Sequence, residues 1–370
     1  RYYNYNFQTG NETRFPVFDY LDYAFSDPPI VEPFGAFEPY ALENLEANVD
    51  FDPTTVQDED GVLFKVNTSY SFDNGNLLYA TFSQGYRVGG GNAGGPCPAF
   101  NPDDLDDQQL CLLSEGQQFG LDPVNDIRQL NEQEYVSDTV NNYEIGFKST
   151  WLDGDLTLNG SAYFMQWNDP QLSATSVKAQ TSITVNAGAA ETMGFDLAGN
   201  WQVNDAFVLR GNFSFVNAEL TEDVPDLVTT ISPPGFSKLF EAGQAGDRLP
   251  GAPQTQFSLY GSYTWDFLSD DTLTLDAGYS WQGEVLDEAG ERGNSLTLPS
   301  YGRANAALIY DAGDWSITGY VDNLFNDFSE TSVASNELFN QTILGANVRS
   351  FRTNVLPPRS YGIRFKYRFE

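Results

Sequence analysis

The sequence predicts an all-β protein, a transmembrane antiparallel β-barrel that crosses its membrane with strands. Three observations carry this expectation. Residues alternate between two faces, the alternating segments are long with aromatics near their ends, and short connections alternate with long ones. Alternation is clearest at the C-terminus. Tyr361, Ile363, Phe365, Tyr367 and Phe369 share one face, while Ser360, Gly362, Arg364, Lys366 and Arg368 share the other. Successive side chains of a strand point to opposite sides, so this pattern specifies one apolar and one polar face. Leu156, Leu158, Gly160, Ala162 and Phe164 repeat it against Thr157, Asn159, Ser161 and Tyr163. Phe207, Leu209, Gly211, Phe213 and Phe215 repeat it against Arg210, Asn212 and Ser214.

A soluble sandwich alternates too, and length separates the two. Soluble strands run to about 5–6 residues, whereas the segments here run to roughly 9–14, and a tilted membrane strand needs about 9–11. Trp151, Trp167, Trp201, Trp265, Trp281 and Trp315 lie near segment ends, as the aromatic girdles of membrane barrels do. No stretch approaches the ~20 apolar residues of a membrane helix.

Taken in order, the expected strands are 61–72, 77–87, 139–151, 156–167, 192–203, 207–218, 252–265, 272–282, 301–310, 315–323 and 359–369. Residues 1–9 add one more, for about twelve. The connections Asp73–Asn76, Leu152–Asp155, Asn204–Asp205, Asp266–Asp271 and Asp311–Asp314 are short and rich in Asp, Asn and Gly, which suit tight turns. Those over 10–60, 88–138, 168–191, 219–251, 283–300 and 324–358 are long. Short periplasmic turns and long extracellular loops are the asymmetry of outer-membrane barrels. About twelve strands close as a small barrel or form part of a larger one. An open part would leave bare edges in lipid, which backbone hydrogen bonding does not tolerate.

Composition excludes several functions. The formal charge is −34, from 18 Lys+Arg against 52 Asp+Glu, the wrong sign for nucleic-acid phosphate. There is no histidine, so the chain cannot supply a Ser-His-Asp or Cys-His catalytic group or a His-ligated zinc site. No enzyme activity, resident metal or cofactor is expected. Asp103, Asp104, Asp106 and Asp107 read first as a solvated loop, and second as a calcium candidate, without EF-hand spacing. Cys97 and Cys111 fall in one polar, Pro- and Asp-rich segment. In an oxidising compartment such a pair is expected to close a loop as a disulfide.

Six stretches resemble the barrel of TonB-dependent receptors. Leu78–Asn92 is similar to the family's "YaSyskGFRsGGfN" strand and loop start, and Val140–Thr150 to its "E-x-G-x-K" strand. Met193–Leu197 is similar to "G-x-E" with Asp196 for Glu, and Gly246–Pro253 to "G-x-x-L-P-x-x-P". Val321–Asn326 is similar to "v-x-N-L-F-D" with Asn326 for Asp, and Pro358–Phe369 to the final "P-R-x-y-G" strand. Each is weak alone, but together they keep the family's order. The resemblance implies the C-terminal portion of a barrel of about 22 strands with a plugged lumen, covering residues 1–370. No plug domain and no TonB box are visible; the resemblance implies that both lie upstream. It implies active uptake of a bulky solute: a ferric siderophore, a vitamin or an oligosaccharide. It also implies TonB and its inner-membrane energising proteins as partners, with outer-membrane lipid and lipopolysaccharide around the barrel. The alternative is a passive porin of about twelve strands.

Arg87 and Arg248 are the candidate contacts for an anionic ligand, the competing reading being pairing with barrel or plug carboxylates. Asn323 is expected to cap a turn. Tyr143, Phe147 and Trp151 are expected to face lipid, and Glu144 and Lys148 to share the lumen face as an ion pair. Arg364, Lys366 and Arg368 are assigned to the lumen, because a cation on the lipid face at mid-depth costs ~2–4 kcal/mol.

Overall fold

Eleven antiparallel strands form one sheet in which each strand pairs with its neighbours in chain order. They are β1 (Lys65–Ser71), β2 (Leu77–Arg87), β3 (Asp138–Trp151), β4 (Leu156–Asn168), β5 (Ala189–Asn204) and β6 (Phe207–Leu220). They continue as β7 (Thr255–Phe267), β8 (Asp271–Gln282), β9 (Tyr301–Asp311), β10 (Trp315–Asp322) and β11 (Ser360–Tyr367). The computed structural model describes residues 2–9, 55–92, 130–132, 134–175, 182–229, 240–267, 270–291, 295–335, 341–343, 346–348 and 351–369. Cys97, Cys111, Asp103, Asp104, Asp106 and Asp107 lie outside the described residues.

Each strand coincides with an expected segment, with one difference at the start. The segment 61–72 divides. Thr55–Val62 pairs with Tyr2–Thr9 in a separate two-stranded sheet, Tyr2 opposite Val62, and β1 begins at Lys65. At the break, the Phe64 carbonyl still accepts from Gln84 N–H at 2.9 Å, while the Phe64 N–H is diverted to the Gln84 side chain at 3.1 Å. Residues 2–9 are therefore a strand, but not one of the main sheet. The main sheet is open among the described residues, with β1 and β11 at its two edges.

Register makes the two faces continuous. One cross-strand row runs Leu78, Phe147, Gly160, Leu197, Phe213, Phe257, Trp281. The next row, one residue along, runs Tyr79, Gly146, Ser161, Asp196, Ser214, Gln256, Gln282. A slip of one residue in any pair would mix the two. The apolar face meets no other layer among the described residues: Ile145 is 62% exposed and Ile363 is 82% exposed. Such a face belongs against hydrocarbon. Tyr143 and Trp151 bracket it on β3, about 27 Å apart along the strand, which at the 35–45° tilt of barrel strands spans roughly 20 Å of the ~25 Å apolar band. Trp201, Trp265 and Trp315 mark the same turn-side border on other strands.

Buried apolar packing lies elsewhere, above the long-loop end. Short hairpins there, Gln171–Thr175 with Ser182–Asn186 and Val224–Thr229 with Phe240–Gly243, contribute to one cluster. It gathers Leu172, Ile183, Val185, Leu220, Leu227 and Leu249, each at most 8% exposed. The sheet faces lipid and lumen, so dry protein–protein packing is left to the outer layer.

Candidate functional site

The polar face of the sheet lines the lumen, and its carboxylates are held by wall side chains. Tyr79 donates its hydroxyl to Glu144 Oε1 at 2.6 Å. Ser214 donates to Asp196 Oδ1 at 2.5 Å, and Ser262 to Asp276 Oδ1 at 2.7 Å. Arg303 Nη2 stands 3.8 Å from Asp322 Oδ1. The expected Glu144–Lys148 ion pair does not form. Residues four apart on a strand are separated by ~13 Å, so sharing a face does not bring them together; Glu144 is met instead by Tyr79 from the next strand.

Glycines make room for the tyrosine rings. A Cβ added at Gly146 would lie 2.5 Å from the Tyr79 ring, and one at Gly362 would lie 2.6 Å from Tyr320 Oη. Both glycines sit directly opposite those tyrosines. The ring covers backbone that glycine leaves bare, which offsets the weakness of glycine within a strand.

At the long-loop end, Arg87 sits on the last residue of β2 and Asp138 on the first residue of β3, directly opposite. The Arg87 guanidinium forms an ion pair with Asp138, including Nε to Oδ2 at 2.8 Å. It also lies over the Trp167 ring at 4.8 Å and donates to the Gln171 carbonyl at 3.2 Å. Asp138, only 2% exposed, accepts from Gln171 N–H at 3.1 Å. The pair therefore ties the tops of β2, β3 and β4 to the hairpin above them. Asn92 adds a second tie, donating to the carbonyls of Glu132 and Thr184 and accepting from Thr184 N–H at 2.9 Å.

Arg248 lies apart from Arg87, beside the outer end of β6, where it bridges Glu219. Its side chain is 14% exposed and stands 3.5 Å from Glu284 and 3.3 Å from Glu291. The two candidate arginines thus belong to separate charge clusters, each with barrel-side carboxylates. Asn92 closes the Leu78–Asn92 stretch that resembles the family's strand and loop start, whereas Asp138 and Gln171 carry no such signal: each lies where a strand meets a long connection, and a single polar residue there has no spacing to mark it.

Arg364 and Lys366 occupy the polar face, and Phe365 stacks on Trp315 on the apolar one, ring centroids 6.1 Å apart. Asn323 is 1% exposed and does cap the turn after β10. It accepts from Asp327 N–H and donates to the carbonyls of Asp327 and Pro357, each at 2.9 Å.

Comparison with known proteins agrees with this geometry. A family model for the TonB dependent receptor-like β-barrel matches residues 3–324. The metal-pseudopaline receptor CntO of Pseudomonas aeruginosa is 26% identical over 187 residues, 50% of this chain and 23% of that protein. The probable TonB-dependent siderophore receptor PiuA of Acinetobacter baumannii is 22% identical over 188 residues, 49% of this chain and 22% of that protein. Among solved structures, the ferric yersiniabactin uptake receptor FyuA of Yersinia pestis superposes with a TM-score of 0.58 at 19% identity. That match covers 87% of this chain and 40% of that one. The ferripyoverdine receptor of the Pseudomonas aeruginosa outer membrane gives 0.51 at 16% identity, covering 85% and 34%. The chain thus spans less than half the length of these relatives, which are named as receptors and none as an enzyme. The chain belongs to the TonB-dependent receptor β-barrel family, and its strands are those of an outer-membrane barrel.

Proposed function

We propose that the protein carrying this barrel takes up a scarce, bulky solute across the outer membrane in a TonB-dependent manner. A metal–siderophore complex is the favoured class, ahead of a vitamin or an oligosaccharide. The observation that carries the reading is the family match over residues 3–324 on a sheet with one lipid face and one polar face. The named relatives, receptors for metal–pseudopaline and for siderophores, support the solute class. Residues 1–370 would be the C-terminal part of the barrel, with the plug and TonB box supplied upstream. Partners would be TonB with its inner-membrane energising proteins, and lipopolysaccharide around the wall. The open sheet favours this over a self-closing porin of about twelve strands, because β1 and β11 do not pair with each other.

Arg87 and Arg248 enter this reading as anion contacts at a cost. An anionic ligand would have to displace buried Asp138 from Arg87. At Arg248 it would compete only with Glu284 and Glu291, which are 58% and 62% exposed, and exposed pairs hold weakly. Arg248 is therefore the better contact. The test is accumulation of radiolabelled iron from ferric siderophores by cells with the gene deleted and restored, with and without TonB. Restored uptake that needs TonB supports the proposal. Uptake that persists without TonB would remove it.

A further inference from the structure

Asparagine followed by glycine occurs twice in the chain, at Asn74–Gly75 and at Asn159–Gly160. The pair is chemically reactive. Glycine has no Cβ, so nothing of its own screens its backbone nitrogen from the amide side chain before it. The two pairs share that chemistry and differ in their surroundings. Asn74 and Gly75 form the tip of the turn between β1 and β2, and both are exposed. Gly75 adopts φ 82°, and a Cβ placed on it would meet nothing within 4 Å. The Asn74 Oδ1 accepts from Asn76 N–H at 3.1 Å, a contact that folds the side chain back along its own backbone. The same N–H polarises the Cγ carbonyl and faces the oxygen on which negative charge would develop if Cγ were attacked. One bond opposes attack: Gly75 N–H donates to the Phe72 carbonyl at 2.9 Å. It sits in an exposed turn, where local opening costs far less than opening the sheet.

Asn159 and Gly160 lie inside β4, between β3 and β5. Asn159 is opposite Lys148 and Ala198, and Gly160 is opposite Phe147 and Leu197. A Cβ at Gly160 would come within 2.6 Å of the Phe147 ring and 2.8 Å of Leu197, so neighbouring side chains already cover this backbone. Bringing the Asn159 amide onto Gly160 N would require ladder bonds in the middle of the sheet to break, an opening as costly as unfolding the strands around it.

We infer that Asn74 is a site of spontaneous covalent modification in the folded protein, converting to aspartate and isoaspartate, and that the sheet protects Asn159. Gly75 N bonds to Asn74 Cγ and the Cγ–Nδ2 bond breaks. Nδ2 leaves as ammonia, carrying the proton from Gly75 N. Water then opens the cyclic imide. Cleavage of the Cγ–N bond gives aspartate; cleavage of the backbone C–N bond gives isoaspartate, in which the chain runs through Cβ and Cγ. Either product adds a negative charge to a turn that already holds Asp73. Isoaspartate also lengthens the backbone between Phe72 and Asn76, whose N–H and carbonyl close the turn at 2.8 Å. Asn76 Oδ1 in turn accepts from Thr150 N–H at 2.9 Å, so the change loosens the tie between the first hairpin and the end of β3.

The test ages the complete receptor, folded in lipid vesicles and shown to be heat-modifiable on gels, in warm, mildly alkaline buffer. A second sample is held unfolded in denaturant beside it, and both are digested and mapped by mass. In the folded sample the peptide holding Asn74 should become heavier by about one dalton, with isoaspartate detected by enzymatic methylation. The peptide holding Asn159 should stay unchanged. In the unfolded sample both should convert, which separates the effect of the fold from that of the dipeptide. Asn74→Ser should abolish the first change and leave Asn159 as in the parent. A folded receptor whose Asn74 stays intact while the unfolded chain converts, or one in which both asparagines convert at equal rates, would overturn the inference. Neither result bears on the transport reading, which does not depend on this turn.

Discussion

At the scale of single residues, polar side chains at strand ends do more structural work than their number indicates. Asn323 adopts φ 51°, a left-handed conformation that asparagine tolerates better than most residues. Its amide is buried and engaged on both sides. Asn323→Ala would leave two carbonyls and an N–H unpaired and impose the left-handed cost on alanine, a loss of about 3 kcal/mol. Urea unfolding of the complete receptor in lipid vesicles would read it; a change under about 0.5 kcal/mol would contradict the cap. The opposite case is Leu152, held at φ 54° beside Asp153, also at φ 54°. A left-handed leucine costs roughly 1–2 kcal/mol, and Leu152 is 58% exposed, so little packing compensates. Leu152→Asn should stabilise by up to about 1 kcal/mol in the same unfolding experiment. Asn323 was legible because it sits in a motif with a strand before it. The Arg87–Asp138–Gln171 cluster was only half legible: the arginine stood out, but its partners come from strands 51 and 84 positions away in sequence, and no local pattern announces such a meeting.

Strands were the most legible elements, because period-2 alternation is a local property and the lipid and lumen demand opposite chemistries of its two faces. Every main-sheet strand was recovered, from β1 near Lys65 to β11 near Phe365. The break at Phe64 was missed, since a side-chain acceptor, Gln84, replaces a ladder bond without altering the hydrophobic pattern. The Glu144–Lys148 pairing was misread for a different reason: the face was right, but rise along a strand keeps such residues apart, and cross-strand neighbours take precedence. Register is testable on β11. Phe365 lies opposite Ile317 and Arg364 opposite Thr318. Phe365→Arg would place a cation in the apolar band at ~2–4 kcal/mol, whereas Arg364→Phe puts a ring into a water-facing wall that already holds Tyr320. Outer-membrane yield of the complete receptor should fall sharply for Phe365→Arg and stay near the parent for Arg364→Phe. Equal yields would mean that the strand is turned the other way.

For the whole molecule, the decisive feature is an open sheet of eleven strands whose edges, β1 and β11, have no second neighbour among the described residues. Both edges carry lipid-facing side chains, Val66 and Tyr70 on one and Ile363 and Phe365 on the other, all at least 62% exposed. The N–H and C=O groups along those edges therefore run at the depth of the hydrocarbon. Each such group left unpaired in lipid costs several kcal/mol, and two whole edges of them exceed the 5–15 kcal/mol that holds a folded protein together. The polypeptide of residues 1–370 expressed alone is therefore expected not to form a heat-modifiable, SDS-resistant barrel. The complete receptor, which on the proposed transport reading adds further strands between the two edges, should form one. Gel mobility before and after boiling distinguishes the cases directly. A stable, heat-modifiable barrel from residues 1–370 alone would require β1 and β11 to find each other or the Tyr2–Thr9 strand to bridge them, and the passive pore would then displace gated transport as the better reading.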